Sequence, residues 1–215
     1  MHIENPLRRC VIISGSPDCT FFPPLRRDDY VIACDYGLHH AHRAGVVPDL
    51  LVGDFDSFHD VPDENVPTLR VKAEKDDTDT GLAVQQGLSM GLQDFYILGA
   101  LGGRLDHQLA NLHTAASIAL QGGRCVLESA DTVVYTVYND TLTVPRREGW
   151  ALSVFAWGGD ARGVDLENVK YALHDAQLHC DYPIGVSNEF AASEAVIRVR
   201  KGLLLVVLSD RSHEK

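Results

Sequence analysis

Three groups of acidic residues each follow a segment that the sequence predicts to be a β-strand. Asp35 follows residues 30–34, Asp54 and Asp56 follow residues 50–52, and Asp79 closes the run Lys-Asp-Asp-Thr-Asp after residues 68–72. The carboxyl ends of parallel strands meet at one edge of a sheet, so all three groups are expected to line one crevice. Two parallel carboxylates at i and i+2 repel each other unless a cation lies between them, and Mg²⁺ suits such a site. A turn with capping aspartates explains any one group alone, but three successive groups favour a magnesium site.

A glycine-rich segment lies between another predicted strand and a predicted helix. Residues 95–99 precede Gly102, Gly103 and Arg104, and the helix follows from residue 105. Glycines at such a junction let backbone amides approach an anion, and a guanidinium adds donors that suit phosphate. No Gly-Lys-Ser/Thr follows, so the segment is not a Walker loop. Taken alone it is equally a tight turn in which Asp106 offsets the helix dipole.

Residues 1–127 alternate strand-like and helix-like segments. Near-continuous apolar strands separated by helices predict an α/β domain with a mainly parallel sheet covered on both faces. The helix over residues 105–121 is expected to bury an apolar face formed by residues spaced by three or four. Predicted strands are 10–14, 30–34, 50–52, 68–72, 95–99 and 124–127, predicted helices are 37–44, 80–91 and 105–121, and the apolar face comprises Leu105, Leu109, Leu112, Ala116 and Leu120.

Residues 128–215 have a different pattern, with strands joined by turns. Predicted strands are 133–137, 142–144, 151–155, 195–200 and 203–208. The Lys201-Gly202 pair predicts a hairpin between the last two strands. We therefore expect a second, all-β domain that is antiparallel and sandwich-like.

Composition excludes several classes of protein. The formal charge is −11 in 215 residues, so the surface disfavours nucleic acid. The first residues lack a signal-peptide pattern, and the longest apolar run, Leu203 to Leu208, is too short to span a bilayer. Five cysteines without a Cys-x-x-Cys pair indicate reduced thiols and a cytoplasmic protein that binds no membrane.

The order of these motifs resembles the thiamine pyrophosphokinases (thiamine diphosphokinases), in particular the bacterial members. The resemblance extends along nearly the whole chain. It rests on Asp35-x-Gly37, Pro48-Asp49, Gly53-Asp54-Phe55-Asp56-Ser57, Lys75-Asp76-x-Thr78-Asp79, Gly99-Ala100-x-Gly102-Gly103-Arg104-x-Asp106-His107, Val169-Lys170-Tyr171-x-Leu173 and Gly185-Val186-Ser187-Asn188-Glu189. The chain departs from the usual pattern at Gly81, Asn168 and Ala172, where the family has Glu, Gly and Pro.

The resemblance implies a Rossmann-like N-terminal domain, a C-terminal β-sandwich and a homodimer with active sites between subunits. The implied reaction transfers pyrophosphate from ATP to thiamine with Mg²⁺, giving thiamine diphosphate and AMP. Asp54, Asp56 and Asp79 are implied as catalytic residues and metal ligands. ATP binding is assigned to Asp35, Gly37, Lys75, Asp76, Gly102, Gly103, Arg104, Asp106 and His107, and thiamine binding to Thr78, Tyr171, Ser187 and Asn188.

Other interpretations stay open at this point. A pyrophosphokinase for another hydroxymethylated heterocycle, such as a pterin, would share the acidic crevice, and a non-catalytic nucleotide or thiamine sensor would share the binding residues. Several mutually repelling carboxylates argue against the sensor. His39, His40 and His42 are expected to be solvated on a short polar helix, and Cys34 is expected to be a buried strand residue. Tyr171 could equally pack in the β-domain or stack on a ligand.

Overall fold

The computed structural model describes residues 8–54, 65–70 and 77–212, and it divides the chain into two compact units. The first unit comprises Met1–Ile118 and Cys125–Ala130, and the second comprises Ala119–Arg124 and Asp131–Lys215. Each unit has its own pattern of strands and is described by itself.

The first unit alternates strands and helices, as the sequence predicts. Its strands are β1 (Arg9–Ile13), β2 (Tyr30–Cys34), β3 (Leu50–Gly53), β4 (Thr68–Arg70), β5 (Asp94–Leu98) and β6 (Arg124–Glu128), and its helices are α1 (Gly37–Arg43), α2 (Asp79–Ser89) and α3 (Leu105–Leu120). The strand order is β4-β3-β2-β1-β5-β6, and β1 pairs in parallel with both β2 and β5. The pairs β2–β3 and β3–β4 are parallel as well.

Both faces of β1 are covered, which explains why its residues are almost all apolar. Val11 packs with Leu38 and Ala41 of α1 in one cluster. Cys10, which points to the opposite face, lies against α2: a Cβ on Gly87 would come 3.0 Å from its Sγ atom and 2.8 Å from the Phe95 ring. The prediction of a mainly parallel sheet between helices is therefore confirmed for this unit.

The buried face of α3 differs from the predicted one. Leu105, Leu109 and Leu120 are 69%, 44% and 57% exposed, although their spacing predicts a core-facing stripe. Of the predicted face only Ala116 is buried, and the other buried positions of the helix are Asn111, Ala115, Ile118 and Ala119. Small side chains let the helix pack closely, so the apolar stripe that periodicity identified is turned largely to the surface.

The second unit is built from antiparallel strands. They are β7 (Thr132–Tyr138), β8 (Thr141–Pro145), β9 (Trp150–Ala156), β10 (Ala161–Glu167), β11 (Leu173–Leu178), β12 (Glu194–Lys201) and β13 (Leu203–Asp210). One group has the order β7-β13-β9 and the other β11-β10-β12-β8. The β-rich character is confirmed, and β10 and β11 are two strands that the sequence did not predict.

The predicted hairpin between the last two strands is wrong. β12 pairs with β10 and β8, whereas β13 pairs with β7 and β9, so the chain changes group at Gly202. Gly202 has φ +117°, and a Cβ there would come 2.9 Å from the Ala161 Cα. β13 is buried along most of its length, and it pairs on both edges as a central strand. A short connection between two strand-like runs therefore does not require that they pair.

Across the described part of the chain, none of the helices combines the length and the apolar character that crossing a membrane requires.

Candidate active site

The carboxyl ends of β1, β2 and β5 converge on one cavity in the first unit. The chain proceeds outwards from β1 through β2 to β4 and then crosses to β5 on the other side of β1, and open α/β sheets bind ligands at such a reversal of strand order. The Ser14 amide donates to the Leu98 carbonyl at 2.8 Å, and the Ser16 amide donates to the Gly99 carbonyl at 2.8 Å. The cavity has a volume of about 700 Å³ and is lined by Ser14, Gly15, Ser16, Pro17, Cys34, Asp35, Tyr36, Asp77, Thr78, Asp79, Thr80, Gly99, Ala100, Gly102, Gly103, Arg104, His107 and Asn111.

Acidic residues border the carboxyl end of β2. Asp35 follows β2 with φ +39°, and its amide donates to the Val52 carbonyl of β3 at 3.2 Å. A Cβ on Gly53 would come 1.8 Å from the Asp35 Oδ1, so only glycine lets that carboxylate lie across the end of β3. Asp54 directly follows Gly53 and is half-buried, and it is not among the residues that line the cavity, contrary to the expectation that it shares one crevice with Asp35 and Asp79.

Asp79 reaches the same region from α2. The Cys34 Sγ lies 3.6 Å from the Asp79 carbonyl oxygen, so the first turn of α2 lies against the end of β2. Cys34 is buried, as expected. Asp56, Lys75 and Asp76 lie outside the described residues. In the ranges 8–54, 65–70 and 77–212, no three His, Cys, Asp or Glu residues are grouped to hold a metal.

Thr78 caps α2 and also lines the cavity. Its φ of −74° and ψ of 154° are extended, and its Oγ1 accepts a hydrogen bond from the Gly81 amide at 3.1 Å. Gly81, where the related family has Glu, has no side chain to return a hydrogen bond to the cap. The first turn is stabilised in another way, because the buried Ser14 and Thr80 hydroxyls are hydrogen-bonded to each other.

The Gly102-Gly103 turn binds the side-chain carboxylate of another residue of the protein. The Gly103 amide donates to the Asp18 carboxylate at 2.7 Å. The two glycines have φ of +87° and +68°. The sequence predicted an anion at these amides but gave no sign that Asp18 supplies one.

Arg104 extends from this turn and pairs with Asp106. Its Nε donates to Asp106 Oδ1 at 3.1 Å, and its Nη2 donates to Oδ2 at 2.6 Å. These hydrogen bonds raise the pKa of the Arg104 guanidinium and lower the pKa of the Asp106 carboxyl. Both side chains are largely exposed, so a ligand can exchange with Asp106 for the guanidinium. Arg104 and His107 line the cavity, and Asp106 does not.

Gly37 is required for packing rather than for lining the cavity. A Cβ there would come 1.9 Å from the Ile13 carbonyl oxygen, so α1 begins in direct contact with the end of β1. The expectation that the three histidines of α1 are solvated is wrong for His40, which is 3% exposed. The His40 Nε2 bonds the Ser16 carbonyl at 2.8 Å, and burial lowers the pKa of its imidazole.

Three of the predicted thiamine-binding residues lie in the second unit. Tyr171 is 62% exposed and Asn188 is 5% exposed. The Asn188 Oδ1 accepts from the Tyr171 amide at 3.0 Å and its Nδ2 donates to the Tyr171 carbonyl at 2.9 Å. Asn188 therefore fixes the Tyr171 backbone. Ser187 has φ +59°, and its amide donates to the Ser153 Oγ at 3.0 Å.

Neighbouring residues hold the Tyr171 segment from both sides. The Lys170 ammonium lies 5.5 Å from the centre of the Tyr171 ring and 3.1 Å from the Glu189 carboxylate. Asn168 has φ +62°, which explains why glycine suits this position in related chains and why Asn, which tolerates the left-handed region, can replace it.

Sequence reasoning missed the cavity residues Ser14 to Pro17, Tyr36 and Asn111, and it also missed Asp18, which binds the Gly103 amide. This segment carried a signal, because Ser14 ends a predicted strand and residues 15–17 directly follow it, just as the acidic groups follow theirs. Asn111 is buried and donates from Nδ2 to the Ala100 carbonyl at 2.8 Å, so it stabilises the wall of the cavity.

Comparison with known proteins gives consistent matches along the chain. The family model described as thiamin pyrophosphokinase, catalytic domain, matches residues 24–127, and the model described as thiamin pyrophosphokinase, vitamin B1 binding domain, matches residues 139–204. A thiamine pyrophosphokinase from Bacillus subtilis is 27% identical over 92% of this chain and 97% of its own length.

Solved structures show the same fold. The crystal structure of thiamine pyrophosphokinase from Bacillus subtilis matches with a TM-score of 0.84 at 22% identity, covering 94% of this chain and 99% of that chain. A thiamin pyrophosphokinase family protein from Enterococcus faecalis matches with a TM-score of 0.78 at 28% identity, again over 94% and 99% of the two chains.

Proposed function

Because the chain belongs to the thiamin pyrophosphokinase family, we propose that it transfers a pyrophosphate group from ATP to the hydroxyl of thiamine, giving thiamine diphosphate and AMP. The observation that carries this proposal is the match of both family models in order, on a chain whose first unit has a cavity at its strand ends. The proposed division of labour assigns ATP and metal binding to residues 1–127, with a Rossmann-like fold, and thiamine binding to residues 128–215, with a sandwich-like fold. The five cysteines form no disulfide, which supports a cytoplasmic enzyme.

The nucleotide is assigned to the strand-end cavity. Its volume of about 700 Å³ is typical of a small-molecule site. Arg104 and His107 line the cavity on the side of the glycine turn, and the Arg104 fork suits two phosphate oxygens. Lys75 and Asp76 are assigned to the same pocket, and Asp106 holds the guanidinium until phosphate replaces it.

Asp54, Asp56 and Asp79 are proposed to hold Mg²⁺. The donor set fits the ion, because Mg²⁺ prefers a few carboxylates together with substrate phosphates. Asp79 lies beside the end of β2, and Asp54 directly follows β3, the strand that pairs with β2. When bound, the ion neutralises charge on the phosphates. One carboxylate of this set is proposed to accept the proton of the thiamine hydroxyl as its oxygen attacks the β-phosphorus and AMP leaves.

Thiamine is assigned to the second unit. Its thiazolium is a cation, so an acidic surface tolerates it, and the exposed ring of Tyr171 offers a stacking face. Ser187 and Asn188 are proposed to complete this wall, with Asn188 acting through the Tyr171 backbone.

We propose a homodimer with active sites between subunits. Exposed apolar side chains support this proposal because a monomer rarely leaves such patches uncovered. On α3 they are Leu105 and Leu109, and in the second unit they are Tyr182, Ile184 and Val186.

Incubation with ATP, Mg²⁺ and thiamine, followed by chromatography for AMP and thiamine diphosphate, tests the proposed reaction. The same assay with a pterin alcohol in place of thiamine tests the rival pyrophosphokinase, which would form AMP with the pterin and not with thiamine. A protein that binds nucleotide but forms no AMP with either compound would be a sensor. Asp54→Asn should lower turnover at least 100-fold, on the order of the loss of a group that stabilises transition-state charge, with unchanged circular dichroism. Asp28→Asn, at an exposed turn, is the matched control. Activity of Asp54→Asn within a few-fold of the parent at saturating Mg²⁺ would contradict the metal assignment.

A further inference from the structure

The segment after β1 is packed closely against the glycine turn that carries Arg104. A Cβ on Gly102 would come 3.0 Å from the Asp18 Cβ, and a Cβ on Gly103 would come 3.1 Å from the Pro17 Cδ. Both glycines also have positive φ. Close approach to residues 16–18 is therefore a structural reason for glycine at these two positions, independent of any ligand.

Asp18 forms the polar contact between the two segments. Its Oδ2 accepts the Gly103 amide at 2.7 Å, a charge-assisted hydrogen bond between residues 85 positions apart. A carboxylate near a polyphosphate site repels the phosphates and so disfavours ligand binding. A structural contribution from Asp18 would offset this repulsion. Asp18 is not among the residues that line the cavity, whereas Gly102, Gly103 and Arg104 are. The carboxylate thus holds the turn from outside the cavity and leaves the ligand side open.

The other end of this segment is fixed by His40. The Ser16 carbonyl accepts from the His40 Nε2 at 2.8 Å, and this contact requires the proton on Nε2. The imidazole is almost fully buried and lies edge-on to the Tyr36 ring at 5.2 Å between centres. Within the described residues its Nδ1 has no hydrogen-bond partner. The segment from Ser16 to Asp18 is therefore anchored on α1 at one end and on the glycine turn at the other.

We propose that Asp18 is a positioning residue that holds the Gly102-Gly103 turn through the Gly103 amide, and so places Arg104 for the phosphates of the nucleotide. This inference rests on the proposed use of ATP and extends it to a residue outside the matched range, which begins at residue 24. Asp18 acts through the turn and contacts no reacting atom.

Steady-state kinetics of Asp18→Ala and Asp18→Asn test the proposal. Loss of a charge-assisted hydrogen bond should raise the KM for ATP in Asp18→Ala about tenfold, while the KM for thiamine stays within about twofold. Asp18→Asn keeps an oxygen acceptor and should recover most of the loss. Asp28→Ala is the control, because it removes the same charge at an exposed turn. The Asp28 main-chain carbonyl, which alanine keeps, accepts the hydrogen bond from Arg8, so both KM values should match those of the parent.

Amide exchange provides a readout that does not depend on activity. In protein labelled with ¹⁵N-glycine, the Gly103 amide should exchange about tenfold faster in Asp18→Ala than in the parent, and the Gly45 amide should be unchanged. If the parent makes no thiamine diphosphate, the exchange result still tests the contact, and ATP titration by calorimetry replaces the KM. Unchanged Gly103 exchange, or an unchanged affinity for ATP in Asp18→Ala, would overturn the proposal. Tighter ATP binding in Asp18→Ala would overturn it as well, because Asp18 would then compete with phosphate.

Discussion

Replacing Asn188 with Ala tests how the second unit holds Tyr171. The Asn188 amide is 5% exposed and makes three hydrogen bonds. Two go to the Tyr171 backbone, at 3.0 and 2.9 Å, and the third is accepted from the Glu189 amide at 2.9 Å. Alanine removes all three and leaves partly buried backbone groups without these partners.

The expected loss follows from these contacts. Each hydrogen bond contributes about 1 kcal/mol net, and water reaches part of the exposed Tyr171 segment, so we expect the free energy of unfolding to fall by about 2–3 kcal/mol. The KM for thiamine should rise about five- to tenfold because the Tyr171 ring is no longer held. The KM for ATP should stay the same, since the cavity lies in the first unit.

Tryptophan fluorescence isolates the relevant part of the protein. The chain has two tryptophans, Trp150 and Trp157, and both lie in the second unit, so urea unfolding followed by their emission reports that unit. Ser187→Ala is the control: it is adjacent and exposed, and only its amide makes a described hydrogen bond, so stability should not change.

Two results would refute the reasoning about Asn188. One is an Asn188→Ala variant that unfolds at the urea concentration of the parent, which would mean that the Tyr171 backbone does not need the amide. The other is a normal KM for thiamine together with a raised KM for ATP, which would contradict the proposed division of labour between the units.

Three further predictions concern charge, pH and assembly. Arg104→Ala should lower kcat/KM for ATP roughly tenfold or more. Arg104→Lys should not restore this value because lysine lacks the bidentate fork of the guanidinium. Kinetics like those of the parent for either variant would contradict a role of Arg104 in phosphate binding. Burial lowers the pKa of His40 below 6.5, so on acidification the unfolded chain takes up a proton before the folded one. The parent should therefore lose stability below about pH 6.5 more steeply than His40→Gln in urea titrations, and equal slopes would refute this. Sedimentation of the parent should give about twice the 23.6 kDa chain mass, and Leu109→Lys should shift the protein towards monomer. A parent that is monomeric and fully active would exclude an active site shared between subunits.

Much of the local structure followed from the sequence. Apart from β10 and β11, which were not predicted, the described strands and helices begin and end within a few residues of the predicted ones, because apolar runs and glycine-rich breaks directly reflect burial and chain reversal. The position of the cavity also followed, since parallel strands bring their carboxyl ends to one edge of the sheet. Asp35, Asp79 and Arg104 line it as expected, while their roles stay predictions.

Other features depend on contacts that periodicity does not encode. The α3 pattern indicates an apolar stripe but not which side meets the sheet, and the structure buries Ala115 and Ile118 while Leu105 and Leu109 stay exposed. A histidine-rich α1 gave no sign that His40 alone would be buried, because that depends on where the Ser16 carbonyl lies.

Local sequence was enough to predict the order of strands and helices in the first unit and which carboxylates follow which strands, because these depend on neighbours along the chain. Three features became apparent in the folded chain alone: Asp18 binds the Gly103 amide, Asn188 holds Tyr171, and the strands on either side of Gly202 do not pair. The partners in each of these hydrogen bonds are 17 or more residues apart. Their pairing is selected by the packing of the whole unit and by the need to satisfy polar groups as they are buried, and neither condition can be evaluated from local spacing.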